Sequence, residues 1–129
     1  MEHEILSAVG LEAVTRIREI CAGLPEAEEK IDGFGHTVFH VRNKSFVMMG
    51  ERQRGCSIAF KTSPATQEIL LQQPDAPYFK TPYIGQHGWV SLIAAETTNW
   101  AEAASLVREG YCRAAPKRLA HLVLERMRR

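Results

Sequence analysis

The sequence predicts an α+β domain in which helices cover one face of an antiparallel sheet. Between His36 and Lys61 the apolar residues alternate with a period of two, which is typical of strands. Near both ends of the chain the apolar residues recur at helical spacing. Short connections between the predicted strands favour antiparallel neighbours, because a parallel pair needs a long crossover.

An N-terminal helix is predicted first, and Gly23 and Pro25 mark its end. The positions expected to face the core are Leu11, Val14, Ile17, Ile20, Cys21 and Leu24. The acidic segment 25–36 follows. Its carboxylates match the spacing of no metal-binding loop, so we interpret the segment as a solvated linker.

Three strands are predicted next. Residues 37–41 and 46–49 form a hairpin around a turn at Asn43-Lys44. The charged connection 51–55 leads to a third strand, residues 56–61. Alternation along this strand places Lys61 on the outer face of the sheet or at the strand end.

A middle helix begins at Pro64, capped by Ser63, and stops before Pro74. Segment 72–82 has three prolines and is expected to be a loop.

The glycine-rich turn within 81–92 (TPYIGQHGWVSL) opens into the last strand, residues 89–93. We expect Trp89 to be mostly buried, because large aromatic residues beside turns usually contribute to the core. We expect Gly88 to have a positive φ or a close neighbour.

Two C-terminal helices complete the predicted fold. Asn99 and Glu102 have the spacing of a capping box, and Ala115-Pro116 separates the helices. The positions expected to face the core are Trp100, Ala103, Ala104, Val107, Tyr111, Leu119, Leu122, Val123 and Met127.

The length of 129 residues indicates a single domain, residues 1–129. We expect a cytoplasmic protein with no membrane association, because the N-terminus is not a secretory signal and no segment is apolar enough to span a bilayer. Cys21, Cys56 and Cys112 do not have the spacing of a zinc site, so reduced buried thiols, no metal and no other cofactor are expected.

Charge is distributed unevenly along the chain. Residues 1–40 carry three basic and eight acidic side chains, whereas residues 106–129 carry seven basic and two acidic ones. These segments could attract each other within the fold or form solvated faces. Alternatively, the C-terminal helices could present an anion-binding surface.

Four segments resemble the MmcQ/YjbR family of small bacterial proteins. They are EEKIDGFGHTVFHV (28–41), PATQEILLQQP (64–74), TPYIGQHGWVSL (81–92) and YCRAAPKRLA (111–120). The resemblance extends from about residue 10 to residue 122. It implies a two-winged α+β fold, akin to the frataxin-like fold, and a DNA-binding role. It does not imply iron binding, because the acidic residues Glu12 and Glu19 of the first helix are interleaved with Arg16 and Arg18.

DNA binding requires basic side chains that neutralise phosphates. Two basic turns beside the sheet could serve as the wings, together with the start of the last helix. The candidate residues are Arg42, Lys44, Arg52, Arg54, Lys117 and Arg118.

The alternative is a non-enzymatic module that binds a small ligand or a protein through the aromatic turn 81–92. Its candidate pocket residues are His36, Lys61, Tyr83, His87 and Trp89. Catalysis is not favoured, because the sequence has no nucleophile elbow, phosphate loop, metal pair or dinucleotide fingerprint.

Overall fold

The computed structural model describes residues 2–128, which form four α-helices and one six-stranded antiparallel sheet. In chain order the elements are α1 (Ala8–Cys21), β1 (Ala27–Ile31), β2 (Thr37–Val41), β3 (Lys44–Arg52), β4 (Gly55–Lys61), α2 (Pro64–Gln72), β5 (Phe79–Lys80), β6 (Trp89–Ile93), α3 (Trp100–Ala114) and α4 (Lys117–Met127). The strands lie in the order β1-β2-β3-β4-β6-β5. Within residues 2–128, each helix is too short or too polar to cross a membrane. The predicted α+β class is confirmed.

The helices pack on one face of the sheet, which we call the helix face. Strand residues such as Phe39, Ile58 and Val90 form a single apolar cluster with Ile17 of α1 and Tyr111 of α3. The opposite side of the sheet is the outer face. Alternation places on it a row of residues that are in register across four strands: Val38, Met48, Ala59 and Ser91.

The predicted linker 25–36 is wrong, because residues 27–31 form the edge strand β1, paired with β2. β1 was not recognisable from hydropathy because four of its five residues are exposed. Segment 72–82 is also not wholly loop, because Phe79–Lys80 pair with β6.

The hairpin between β2 and β3 turns at Arg42 and Asn43, whose φ angles are 49° and 66°, rather than at Asn43-Lys44. An irregularity in the pairing between Phe39 and His40 then leaves an extra residue in β3. As in a β-bulge, the extra residue allows both Phe46 and Val47 to be fully buried.

The predicted connection 51–55 is shorter than expected. β3 continues to Arg52, β4 begins at Gly55, and only Gln53 and Arg54 form the turn.

The helix faces are partly different from those predicted. Leu11, Leu122 and Met127 are exposed, whereas Ala13 and Ala120 are buried. Alanines therefore occupy part of the packed face of α1 and of α4, and the exposed Leu11, Leu122 and Met127 lie at the margins of these faces.

The turn before β6 has the predicted geometry. Gly88 has a φ of 95°, and a Cβ at this position would lie 2.4 Å from the carbonyl oxygen of Thr62. Trp89 is only 7% exposed, as expected. It is nevertheless on the outer face, opposite Lys61 of β4, and it is not part of the helix-face cluster.

α3 approaches the sheet closely at Gly110. A Cβ there would lie 2.9 Å from the carbonyl oxygen of Lys61 and 3.1 Å from that of Phe46. The backbone of α3 therefore rests on β3 and β4 with no side chain between them.

Candidate nucleic-acid interface

The six basic candidates fall into two groups at opposite ends of β3. Arg42 and Lys44 lie at the β2–β3 turn, and Arg52 and Arg54 lie at the β3–β4 turn. β3 has 9 residues. At a rise of about 3.3 Å per residue, the two turns are roughly 26 Å apart. They therefore cannot contact the same phosphate group.

Arg118 joins the first group. Arg42 donates to both carboxylate oxygens of Glu26, from Nε at 2.6 Å and from Nη2 at 3.1 Å. Nη2 of Arg118 lies 3.9 Å from the same carboxylate. Lys44 and Lys117 are exposed beside these residues in the chain. We call Arg42, Lys44, Lys117 and Arg118 the basic end.

The basic end has more positive than negative charge. The hydrogen bond from Arg42 is the main cause of a lowered pKa of Glu26, and the charge of Arg118 lowers it further, although desolvation opposes both. Glu26 is therefore ionised, yet it supplies one negative charge among four cationic side chains. Within residues 2–128, no ion pair links Lys44 or Lys117 to an acidic side chain.

The first turn of α4 contributes to the same surface. Pro116 occupies the N-cap without a side-chain hydrogen bond to the helix, and the first turn has no acidic residue. Lys117 and Arg118 oppose the helix dipole, whose positive end lies here. Cationic side chains and free backbone N–H groups thus point towards the same region, which favours an anion.

The second basic group lies partly on the outer face. The guanidinium of Arg54 is 5.0 Å from the centre of the Phe79 ring, a cation–π distance. Nearby, the His36 ring stacks on His3 with centroids 4.0 Å apart. Burial, the neighbouring His36 and the charge of Arg52 lower the pKa of His3.

Between the two groups the outer face is formed by short or buried side chains. Val38, Ala59 and Ser91 are buried although they are not part of the helix-face cluster. His40 is also buried, and its Nδ1 has no hydrogen-bond partner within residues 2–128. Lys61, which is half-buried, follows Ala59 on the outer face, towards the end of β4 that lies beside the start of β3.

The five candidate pocket residues do not form a pocket. Lys61 and Trp89 are cross-strand neighbours. His36 lies towards the other end of the sheet, where its Nδ1 is 2.8 Å from an Asp32 carboxylate oxygen. Tyr83 is 94% exposed, and His87 is exposed at the end of a short 3-10 turn.

Two cavities that the sequence did not predict lie elsewhere. One of about 360 Å³ is enclosed by segment 73–78, the end of β6 and the start of α3. In its wall the Tyr78 hydroxyl donates to Glu102, and burial together with this carboxylate raises the pKa of Tyr78. The other, of about 260 Å³, lies among α1, α3 and α4 beside Arg108 and Arg126. The prolines of 72–82 could have indicated the first cavity, which Pro74 and Pro77 line, but they have no part in the second.

Comparison with known proteins shows the family and the fold. A family model described as YjbR matches residues 22–113. The crystal structure of Deinococcus radiodurans protein DR2400, with family-model domain DUF419, is similar with a TM-score of 0.65 and 23% identity, covering 78% of this chain and 76% of that chain. No curated protein matches the chain. At this identity the structural similarity establishes the fold alone. Because the family match covers more than half of the sequence and contains all six strands, the chain belongs to the YjbR family.

Proposed function

We propose that this protein binds DNA through phosphate contacts at the basic end. The observation that carries the proposal is the convergence of Arg42 and Arg118 on the single carboxylate of Glu26, flanked by the exposed Lys44 and Lys117. A phosphate near this carboxylate would meet an excess of cations. Its binding would also release counterions from the DNA, which is the main source of affinity in non-specific complexes.

The contacts proposed here position the DNA without reading its sequence, because they reach phosphates and not base edges. Arg52 and Arg54 would form a second contact about 26 Å away. At 3.4 Å per base pair, that distance corresponds to roughly eight base pairs of duplex. The outer face lies between the two contacts, and its buried Val38, Ala59 and Ser91 side chains do not project towards the DNA backbone.

The test is the double charge reversal Lys117→Glu with Arg118→Glu. Anisotropy of two unrelated fluorescent duplexes is measured at several salt concentrations. We expect weaker binding to both duplexes and a salt slope smaller by roughly 0.9 for each phosphate that the variant no longer neutralises. The melting temperature should be nearly unchanged, because exposed charges contribute little to stability.

A matched control reverses two exposed arginines: Arg16 of α1, which pairs with Glu12, and Arg128 at the C-cap of α4, the end of that helix opposite Lys117 and Arg118. This variant has the same net charge as the test variant, so any difference reflects position. The proposal fails if the parent protein shows no salt-sensitive DNA binding. It also fails if the control loses as much affinity as the test variant.

A second candidate is protein binding at the aromatic turn. It is favoured by Tyr83, which is almost fully exposed although its backbone has a φ of 66°. Such strain in a non-glycine residue often accompanies a functional contact. An NMR titration with short duplex and single-stranded DNA separates the candidates. Amide shifts at residues 42–44 and 117–118 support DNA binding at the basic end, whereas unchanged spectra leave the turn as the better candidate.

A further inference from the structure

The strand β1 is a free edge of the sheet. Within residues 2–128 it pairs with β2 on one side only, and it is longer than β5, the two-residue strand at the other edge. The N–H of Asp32, directly after β1, donates to the carbonyl of His36 at 3.0 Å. In an antiparallel ladder, successive residues direct their backbone N–H and C=O groups to opposite sides of the strand. Because Asp32 bonds towards β2, Glu29 and Ile31, which lie an odd number of positions from it, direct their backbone groups to the free edge.

We propose that a second copy of this chain pairs with β1 in antiparallel orientation, about a two-fold axis at Glu29. Paired strands must keep their side chains on matching faces of a continuous sheet. A two-fold axis within β1 therefore passes through a residue, and for the central part of the strand this residue is Glu28, Glu29 or Lys30.

Charge distinguishes the three registers. An axis at Glu28 places this residue opposite its own copy on the outer face, and the attractive pair that it gives, Glu26 with Lys30, involves a carboxylate already paired with Arg42. An axis at Lys30 does the same for Lys30 and also places Glu28 opposite Asp32. Like charges directly opposite each other destabilise a sheet. Neither register is therefore favoured.

The axis at Glu29 gives complementary pairs. Glu28 of each copy lies opposite Lys30 of the other on the outer face, which forms two attractive pairs. On the helix face, Ala27 lies opposite Ile31, which is 55% exposed in a single copy. Pairing at this edge would thus cover an exposed apolar side chain in both copies.

The acidic side chains that this register brings together already have hydrogen-bond partners within each copy. Glu29 would face its own copy, but Arg18 donates to both its carboxylate oxygens, each at 2.8 Å. The pair beyond the strand ends is Glu26 with Asp32. Glu26 accepts from Arg42, and Asp32 accepts from the backbone N–H groups of Phe34 and His36.

An axis perpendicular to the sheet would keep the two outer faces on the same side. The two six-stranded sheets would then join into one continuous sheet of twelve strands. Five residues at an edge bury less surface than a standard interface, so a weak dimer with a dissociation constant of about 1–100 μM is expected.

The experiment is sedimentation equilibrium of the full chain between about 1 and 500 μM, a range that spans the expected dissociation constant. Glu28→Lys and Lys30→Glu each turn both outer-face pairs repulsive. Each should raise the dissociation constant by about tenfold or more. The double variant Glu28→Lys/Lys30→Glu restores opposite charges and should regain the parent affinity.

Glu68→Lys is the matched control, since it makes the same charge change on an exposed position of α2. It should leave the dissociation constant unchanged. Circular dichroism verifies that each variant is folded. A parent protein that stays monomeric throughout the range overturns the proposal. The proposal is also overturned if neither single reversal changes the dissociation constant, or if the double variant dimerises no more tightly than the single variants.

Discussion

Gly88 is the residue on which the turn before β6 depends most directly. Its φ is 95°, and a Cβ attached to it would lie only 2.4 Å from the Thr62 carbonyl oxygen, which leaves no room for a side chain. We expect Gly88→Ala to lower the free energy of unfolding by at least about 2 kcal/mol. Urea unfolding monitored by tryptophan fluorescence measures the change.

Gly23→Ala is the control, because a Cβ at Gly23 would have no neighbour within 4 Å. It should unfold at nearly the parent urea concentration. Equal midpoints for the two variants would contradict the geometry at Gly88.

Single residues differ in how well the sequence predicts them. Gly88 and Trp89 could be anticipated, since a glycine before a buried aromatic residue indicates a tight turn. The ion pair of Arg42 with Glu26 could not, because it joins residues 16 positions apart. Its formation depends on β1, and the sequence pattern suggested a solvated linker there.

The element α1 is attached to the sheet through Glu51 of β3. The Glu51 carboxylate accepts hydrogen bonds from the Ser7 hydroxyl, the Ser7 N–H and the Leu6 N–H, at 2.5, 3.0 and 3.3 Å. Ser7 is also the N-cap of α1. One carboxylate thus holds both the N-terminal segment and the first turn of the helix.

Glu51→Gln should therefore destabilise the protein by about 1 kcal/mol at pH 7. The bond from the Ser7 hydroxyl is the largest cause of the lowered pKa of Glu51 in the folded state. Because the pKa is lowered on folding, the ionised Glu51 carboxylate contributes to the free energy of unfolding at pH values above its pKa in the unfolded chain, about 4.3. This contribution is lost as the pH falls through its pKa in the folded protein.

Urea unfolding of parent and variant from pH 7 to pH 3 measures this contribution. The difference should shrink below about pH 4. Glu125→Gln, on the exposed face of α4, should have no effect at any pH. A difference that stays constant down to pH 3 would mean that the Glu51 charge does not hold α1.

Elements with strong local signals were predicted well, and β1 was not. Ser63 and Asn99 are the N-caps of α2 and α3, as predicted, and accept from the backbone N–H groups of Thr66 and Glu102. The Glu102 carboxylate, which was expected to complete a capping box, instead accepts from the Tyr78 hydroxyl. β1 has no such signal. As an edge strand it exposes most of its side chains, so the hydropathy of its sequence resembles that of a linker. Only its pairing with β2 defines it, and pairing is a tertiary property.

The molecule as a whole protects its thiols. Burial is the main cause that raises the pKa of Cys21 and of Cys56 to about 12, and it also raises that of the half-buried Cys112. We expect a thiol reagent at pH 8 to modify Cys112 first. Cys21 and Cys56 should react only when the whole domain unfolds, because both belong to the helix-face cluster.

Mass spectrometry after timed labelling measures the order of modification. In Cys112→Ser the fast phase should disappear, and urea should expose the remaining two thiols together. Modification of Cys21 or Cys56 at the rate of Cys112 would indicate a local opening of the core.

The contact at Gly110 has a consequence for redesign of the core. Where α3 rests on β3 and β4, backbone atoms limit the spacing between the layers, so α3 cannot move inward to fill a cavity, and moving it outward would give up this close contact. Volume added near Val107 or Tyr111 must therefore be compensated by neighbouring side chains. α1 and α4 contact the core through side chains such as Ile17 and Val123, so their positions can adjust. Libraries that vary these two helices and keep α3 constant should retain the fold most often.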